Sequence, residues 1–257
     1  MLSTITYQPK SILEEFAECI YVNRSDNFEY SGLSFPTLNQ ELFFNFGDSF
    51  ELKNPVSKAK NKRYWLCGAQ IYTSNVNTTG KHFTAGVIFK PWGLYCGFGI
   101  NGKLVANNQI DIEAIFKNLS LKEIKENQNN LSEDEFIKWL EDLLIKSLNP
   151  KRLTKTMAAI VKGLSMDDVD ALPGELQLSK KTIIESFNNL LGITPTKYLH
   201  LKAVNESIEI LTNKSNKKLT DLTYELGFYD QAHFIKVFKT YTGLTPGEFK
   251  KYVSIQT

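Results

Sequence analysis

Between Gln231 and Lys239 the chain presents side chains that could read the hydrogen-bonding edge of another molecule. Gln231 offers an amide, His233 an imidazole, and Lys236 and Lys239 ammonium groups. Over the same stretch Phe234, Val237, Phe238 and Tyr241 recur at helical spacing and define an apolar face. The polar residues fall on the other side. A helix built this way has the chemistry of one that enters a DNA major groove, where donors and acceptors distinguish the base pairs. A plain solvated surface would carry the same residue types, so the elements around the helix must decide.

Those elements point the same way. Leu219, Leu222 and Leu226 share one face of a preceding short helix. Gly227 supplies the permissive backbone that ends it, and Phe228 follows as the closing apolar residue. Asp230 is placed to cap the next helix. Two short amphipathic helices joined by a glycine turn form a helix-turn-helix.

An internal repeat supplies a second copy. Phe187, Gly192, Thr194, Pro195 and Tyr198 recur as Phe238, Gly243, Thr245, Pro246 and Phe249, each pair 51 residues apart. Gly192 and Gly243 are read as helix ends. Thr194 and Thr245 are read as N-caps with a proline in the first turn, where no amide hydrogen is needed. Glu248 can complete a capping box with Thr245. Ser179 and Asp230, again 51 apart, cap the two outward-facing helices. Between the units, residues 195–211 read as one helix about 25 Å long. Such a rod could set two helices on successive major-groove faces.

The run Leu219…Asp221-Leu222…Glu225-Leu226-Gly227-Phe228-Tyr229-Asp230-Gln231-Ala232-His233-Phe234…Phe238-Lys239…Thr242-Gly243-Leu244-Thr245-Pro246 resembles the signature of AraC/XylS-type transcription regulators. The resemblance covers about residues 165–252 and is strongest in the second unit. By that resemblance, the first two turns of the second helix in each unit face base edges, which places Gln231, Ala232, His233 and Lys236 there. Gln can pair bidentately with adenine, Lys with guanine acceptors, and the alanine methyl can touch a thymine methyl. Lys239, Lys250 and Lys251 read as phosphate contacts. His233 could instead pack against Tyr229. More loosely, residues 40–50 and 86–95 resemble the N-terminal domain of an uncharacterised subgroup of those regulators, which implies no particular ligand.

The first unit departs from the pattern. The repeat aligns Lys236 with Glu185, where the family usually carries Arg, and Ala203 stands where its linking helix usually has Arg. A carboxylate at that position repels phosphate, although it could accept from a cytosine amine. Lys180, Lys181 and Thr182 remain as DNA contacts of the first unit. The second unit is therefore expected to dominate base readout, with the first making chiefly phosphate contacts.

The remainder of the chain is expected to carry these units. Residues 1–118 read as short strands: 18–22, 40–46, 64–72 and 82–89, with 74–80 as a polar loop and a helical turn over 94–98. From about Asp111 the pattern turns helical, and Ser132-Glu133-Asp134-Glu135 looks like a capping box. Helices are also expected over 151–161 and after Ser165, with the domain boundary at 163–165. The aromatic-rich set Tyr64, Trp65, Tyr72, Phe83, Phe89, Trp92, Tyr95 and Phe98 reads mainly as core, with a small-molecule pocket as the alternative. His82 lacks a catalytic partner at motif spacing, and no phosphate-binding loop or nucleophile elbow is present. Cys19, Cys67 and Cys96 lack ligand spacing, so reduced, buried thiols are expected, with neither cofactor nor metal. No apolar run is long enough to span a membrane, and the first residues do not resemble a secretory signal. Residues 179–257 hold 11 Lys and 7 acids, a balance of +4 against −2 for the rest, which suits a DNA-binding part on a non-binding body.

The fold class expected is α+β. A β-rich sensing or dimerisation domain with trailing helices (1–162) would precede an all-α domain (163–257) of two helix-turn-helix units joined by a long helix. The function expected is a cytoplasmic, bacterial-type, sequence-specific DNA-binding regulator, not an enzyme. Its partners would be double-stranded DNA, with room for a small-molecule effector and for a homodimer through the N-terminal domain, and no membrane. The competing readings are an interaction or effector-binding protein whose units no longer read DNA, and an enzyme with a DNA-binding appendage.

Overall fold

The N-terminal part folds into one sheet, in which alternation over residues 40–44 buries Leu42 and Phe44 and leaves Glu41 and Phe43 on the other side. The computed structural model describes residues 2–53, 63–116, 120–149, 159–161, 163, 171–213 and 217–256. Its strands are β1 (Ser3–Tyr7), β2 (Ala17–Ser34), β3 (Gln40–Asn45), β4 (Glu51–Lys53), β5 (Tyr64–Cys67), β6 (Ser74–Phe89) and β7 (Gln109–Asp111). They form a 7-stranded sheet in the order β1-β2-β6-β3-β5-β7, with β4 also on β6. Every pairing is antiparallel.

Two expectations need correction here. Residues 74–80 are not a loop but the first half of β6, paired with Phe28–Ser34 of β2. Their composition is polar because this ribbon extends past the core. Cross-strand partners such as Ser31 Oγ donating to Asn77 Oδ1 (2.8 Å) stabilise it in place of burial. The strand expected over 64–72 stops at Cys67, where Gly68 N–H turns to the Val105 carbonyl (2.8 Å). Strand β1 and the polar half of β2 carry too little alternation to have been expected.

One face of the sheet is covered by helices α1 (Gly93–Phe98), α2 (Gly102–Val105), α3 (Ile112–Ile115), α4 (Leu121–Asn130) and α5 (Glu133–Ser147). Leu42, Phe44, Leu66, Ala85 and Val87 point into this core and meet Ile124, Phe136, Leu140 and Leu144. The Ser132–Glu135 capping box is formed, with both reciprocal bonds present. Of the three cysteines, Cys67 and Cys96 are buried, whereas Cys19 is partly exposed, against expectation. Cys19 alternates with the inward Ile20 and so faces away from the core.

The C-terminal part contains α6 (Leu172–Leu176), α7 (Lys180–Leu191), α8 (Pro195–Thr212), α9 (Leu219–Glu225), α10 (Gln231–Thr242) and α11 (Pro246–Gln256). Their core, with Phe187, Leu190, Leu201, Phe234, Phe238 and Phe249, is continuous with Phe16, Ala69, Ile71 and Cys96 of the N-terminal part. The expected helices over 151–161 and after Ser165, and the boundary at 163–165, fall mostly outside the described residues. No helix among the described residues is long and apolar enough to cross a membrane.

Candidate nucleic-acid interface

The two repeat copies fold alike. Helices α7 and α10 each have 12 residues and begin and end 51 residues apart. Ser179 Oγ accepts from Thr182 N–H (3.1 Å), and Asp230 Oδ1 from His233 N–H (2.7 Å). Gly192 (φ 71°) and Gly243 (φ 78°) end the helices in the left-handed conformation that glycine adopts without strain. Thr194 caps α8 and Thr245 caps α11, each before a proline. Glu248 Oε2 accepts from Thr245 N–H (2.7 Å), which with the Thr245 hydroxyl holds its carboxyl below the usual range. The turn of the second unit is also as expected: Gly227 has φ 75° and Phe228 N–H reaches back to the Thr223 carbonyl (3.1 Å). In the first unit Gln177 (φ 52°) takes the left-handed position.

Burial separates the faces of α10 as the spacing requires. Phe234 and Phe238 are fully buried, with Val237 and Tyr241 beside them. Ala232, His233, Lys236 and Lys239 are exposed and Gln231 is half-buried. His233 packs edge-on against Phe228 (5.4 Å) and His200 (6.0 Å). The alternative partner, Tyr229, is instead 90% exposed. On α7, Lys180, Lys181, Ile184 and Glu185 are exposed and Thr182 is half-buried. Lys181 lies 4.0 Å from Glu185, so this cation shares its charge with a carboxylate one turn along the helix. Ala203, the other departure, is buried on α8. If α7 faces phosphate, Glu185→Arg is expected to tighten DNA binding about tenfold at low salt and steepen the salt dependence by about one unit of slope. Anisotropy titrations at several salt concentrations measure this, and weaker binding would count against the orientation of α7.

The N-terminal part grips these helices at their far ends. Gln40 Nε2 donates to the Leu190 carbonyl (2.7 Å), and Asn101 Nδ2 to Asn189 Oδ1 (3.0 Å), at the C-terminal end of α7. Backbones touch there: a Cβ on Gly192 would lie 2.4 Å from the Gly102 carbonyl oxygen. At the end of α10, Thr73 Oγ1 lies 3.2 and 3.0 Å from the Tyr241 and Thr242 carbonyls. Asn205 of α8 donates to the Pro36 carbonyl (2.7 Å) and accepts from Leu38 N–H (3.3 Å). Leu33 N–H donates to the Tyr252 hydroxyl of α11 (2.7 Å). The N-terminal ends of α7 and α10, with the residues expected to touch bases, are left clear of these contacts.

Behind the grip lies a cavity of about 470 Å³ on the outer face of the sheet, within the usual size of small-molecule sites. Of the aromatic set, Trp65 and Tyr72 line it, whereas Tyr64, Phe83 and Phe89 belong to the core. Sequence reading missed Phe28, Glu41 and Phe43; the signal was Glu41 inside the apolar alternation of β3. The segments that hold the cavity edge also hold the helices. Thr37 and Gln70 line it and pair backbone to backbone (2.9 and 2.8 Å), flanked by Pro36, Leu38 and Thr73.

Comparison with known proteins finds two families along the chain. A family described as helix-turn-helix domain matches residues 173–252, and a domain of unknown function (DUF6597) matches residues 5–111. An uncharacterized HTH-type transcriptional regulator of Haemophilus influenzae is 29% identical over 117 residues, 45% of this chain and 39% of that protein. The HTH-type transcriptional activator RhaS of Escherichia coli is 27% identical over 82 residues, 32% of this chain and 29% of its own length. The chain therefore spans well under half the length of these curated relatives. ToxT from Vibrio cholerae with unsaturated fatty acid bound aligns over 91% of this chain and 95% of its own, at 16% identity and a TM-score of 0.46, too low to carry a conclusion.

Proposed function

We propose that this chain, whose C-terminal helix-turn-helix domain is of the AraC/XylS type, is a sequence-specific DNA-binding transcription regulator. The observation that carries the reading is the division of α10. One face is locked into the core, and the other turns Ala232, His233, Lys236 and Lys239 toward solvent with Gln231 half-buried; the N-terminal part holds the C-terminal end of the helix, which leaves Gln231, Ala232 and His233 at the opposite end. In this reading Gln231, Ala232, His233 and Lys236 meet base edges, and Lys239 meets phosphate. Lys180, Lys181 and Thr182 of α7 hold the neighbouring backbone. Helix α8, 18 residues and about 27 Å long, spaces the two units. The mechanism is binding, with no covalent step.

The same reading assigns residues 1–162 to sensing or dimerisation and 163–257 to DNA binding, in the cytoplasm of a bacterium. A ligand in the sheet cavity would act on α8, α10 and α11 through residues 36–38, Thr73 and Leu33, because these adjoin the lining residues Ser34, Phe35, Thr37, Tyr72 and Ser74 and bond to Asn205, the end of α10 and Tyr252. β1 is an edge strand of the sheet and offers a place for a second copy to pair. A gel shift on the DNA upstream of its own gene, at two salt concentrations, tests the function. Preference over random DNA and weakening with salt are expected; equal retention of random DNA would refute it. The grip is tested by Asn205→Ala, which leaves the Leu38 N–H without its partner. Its cost is expected to be about 1–3 kcal/mol, read as a lower urea midpoint.

A further inference from the structure

Alternation along β3 sends Leu42 and Phe44 into the core and Glu41 and Phe43 into the cavity. Phe43 stacks on Trp65 (ring centroids 4.1 Å apart, planes at 21°), and Phe50 meets both edge-on (5.7 and 5.5 Å). Together the rings make a wall whose electron-rich faces favour cations. Glu41 stands two residues along the same strand. Tyr21 reaches across from β2 and donates to Glu41 Oε1. That crossing depends on Gly86 between them, where a Cβ would lie 2.6 Å from the Tyr21 hydroxyl.

The charge balance of this cavity is one-sided. Among the described residues that line it, Glu41 is the one acid, and there is neither Lys nor Arg. Three nearby cations are engaged away from it. Arg24 pairs with Glu133 (3.1 Å) over the Phe83 ring, Arg63 donates to the Gly47 carbonyl (2.8 Å), and Lys53 pairs with Glu51 (3.1 Å). His82 also lines the cavity, and burial lowers its pKa, which favours the neutral ring. Desolvation raises Glu41 above the ordinary carboxylate range, more than the Tyr21 hydrogen bond lowers it. A carboxyl held in apolar surroundings without a counter-charge gains most from a cationic ligand. An organic anion would meet the Glu41 carboxylate with no Lys or Arg among the described lining residues to offset the repulsion.

We propose that this cavity binds an organic ammonium ion, its cationic head at Glu41 and its apolar body against Phe43, Phe50 and Trp65. The inference rests on the reading of the cavity as the regulatory ligand site. Calorimetry on the purified full-length protein, without DNA, tests it with matched octyl, phenylethyl and naphthylmethyl compounds, each as amine, alcohol and carboxylate. The amine is expected to bind best in at least one set, about tenfold or more above its carboxylate. Glu41→Gln, which keeps an acceptor for Tyr21, is expected to lose about tenfold for the amine and little for the alcohol. A carboxylate that binds as well as its amine, an amine affinity untouched by Glu41→Gln, or no binding in any set would overturn the proposal. The wild-type series decides even if the variant is unstable. DNA binding is read separately by gel shift, so failure of the ligand assay and failure of the regulator reading are told apart.

Discussion

Replacing Phe238 by alanine is expected to cost about 3–5 kcal/mol of stability, the range for truncating a fully buried phenylalanine. Phe238 is 0% exposed and its ring packs against Phe234 (5.9 Å) and Phe249 (5.7 Å). Phe249 in turn meets Phe35 of the N-terminal part (5.0 Å). The cavity left by the substitution would therefore loosen α10, α11 and their seat on the sheet together. For a chain of this size the melting midpoint is expected to fall by roughly 6–20 °C, with DNA binding lost before global unfolding. Circular dichroism melts measure the shift. A midpoint within about a degree of wild type would mean that α10 is not anchored through this residue.

The second large effect falls on binding rather than stability. Lys236→Ala is expected to weaken specific DNA binding by about 1–3 kcal/mol, roughly fivefold to 150-fold, with little change in fold. Lys236 is exposed at the centre of the outward face of α10, and alanine suits a helix at least as well as lysine. Comparing a preferred site with single-base variants locates the effect. If Lys236 reads a base, the variant protein stops discriminating at one position; if it meets phosphate, affinity drops evenly and the salt slope falls by about one. Unchanged affinity and unchanged salt slope would remove α10 as the reading helix.

The helical part was legible in the sequence because its information is local. Caps, proline first turns and glycine ends each act within a few residues, and Ser179, Asp230, Thr194, Thr245, Gly192 and Gly243 behave in the structure as their types require. The repeat doubled each signal and isolated Lys236 against Glu185. The sheet was less legible. The second half of β2 and the first half of β6 are largely polar and become strands through each other, a pairing between residues 40 to 52 positions apart such as Glu29 and Thr79. Glu41 could be seen as out of place in an apolar strand, but its role depends on Tyr21, which bonds to it across the sheet, and on Trp65, which the register sets against Phe43. The grip on the far ends of α7 and α10 was invisible for the same reason. Gln40, Thr73 and Asn205 are ordinary polar residues until the fold sets them against backbone carbonyls.

The central claim is that α10 reads DNA sequence, and in vitro selection tests it most directly. Full-length protein is offered a random double-stranded library over several rounds, and the recovered sequences are then titrated against the starting pool. The expected result is one enriched motif, bound at least about a thousandfold more tightly than random DNA and relaxed at one or more positions by Lys236→Ala. Recovery of no motif, or a motif unaffected by changes at Gln231, His233 and Lys236, would contradict it.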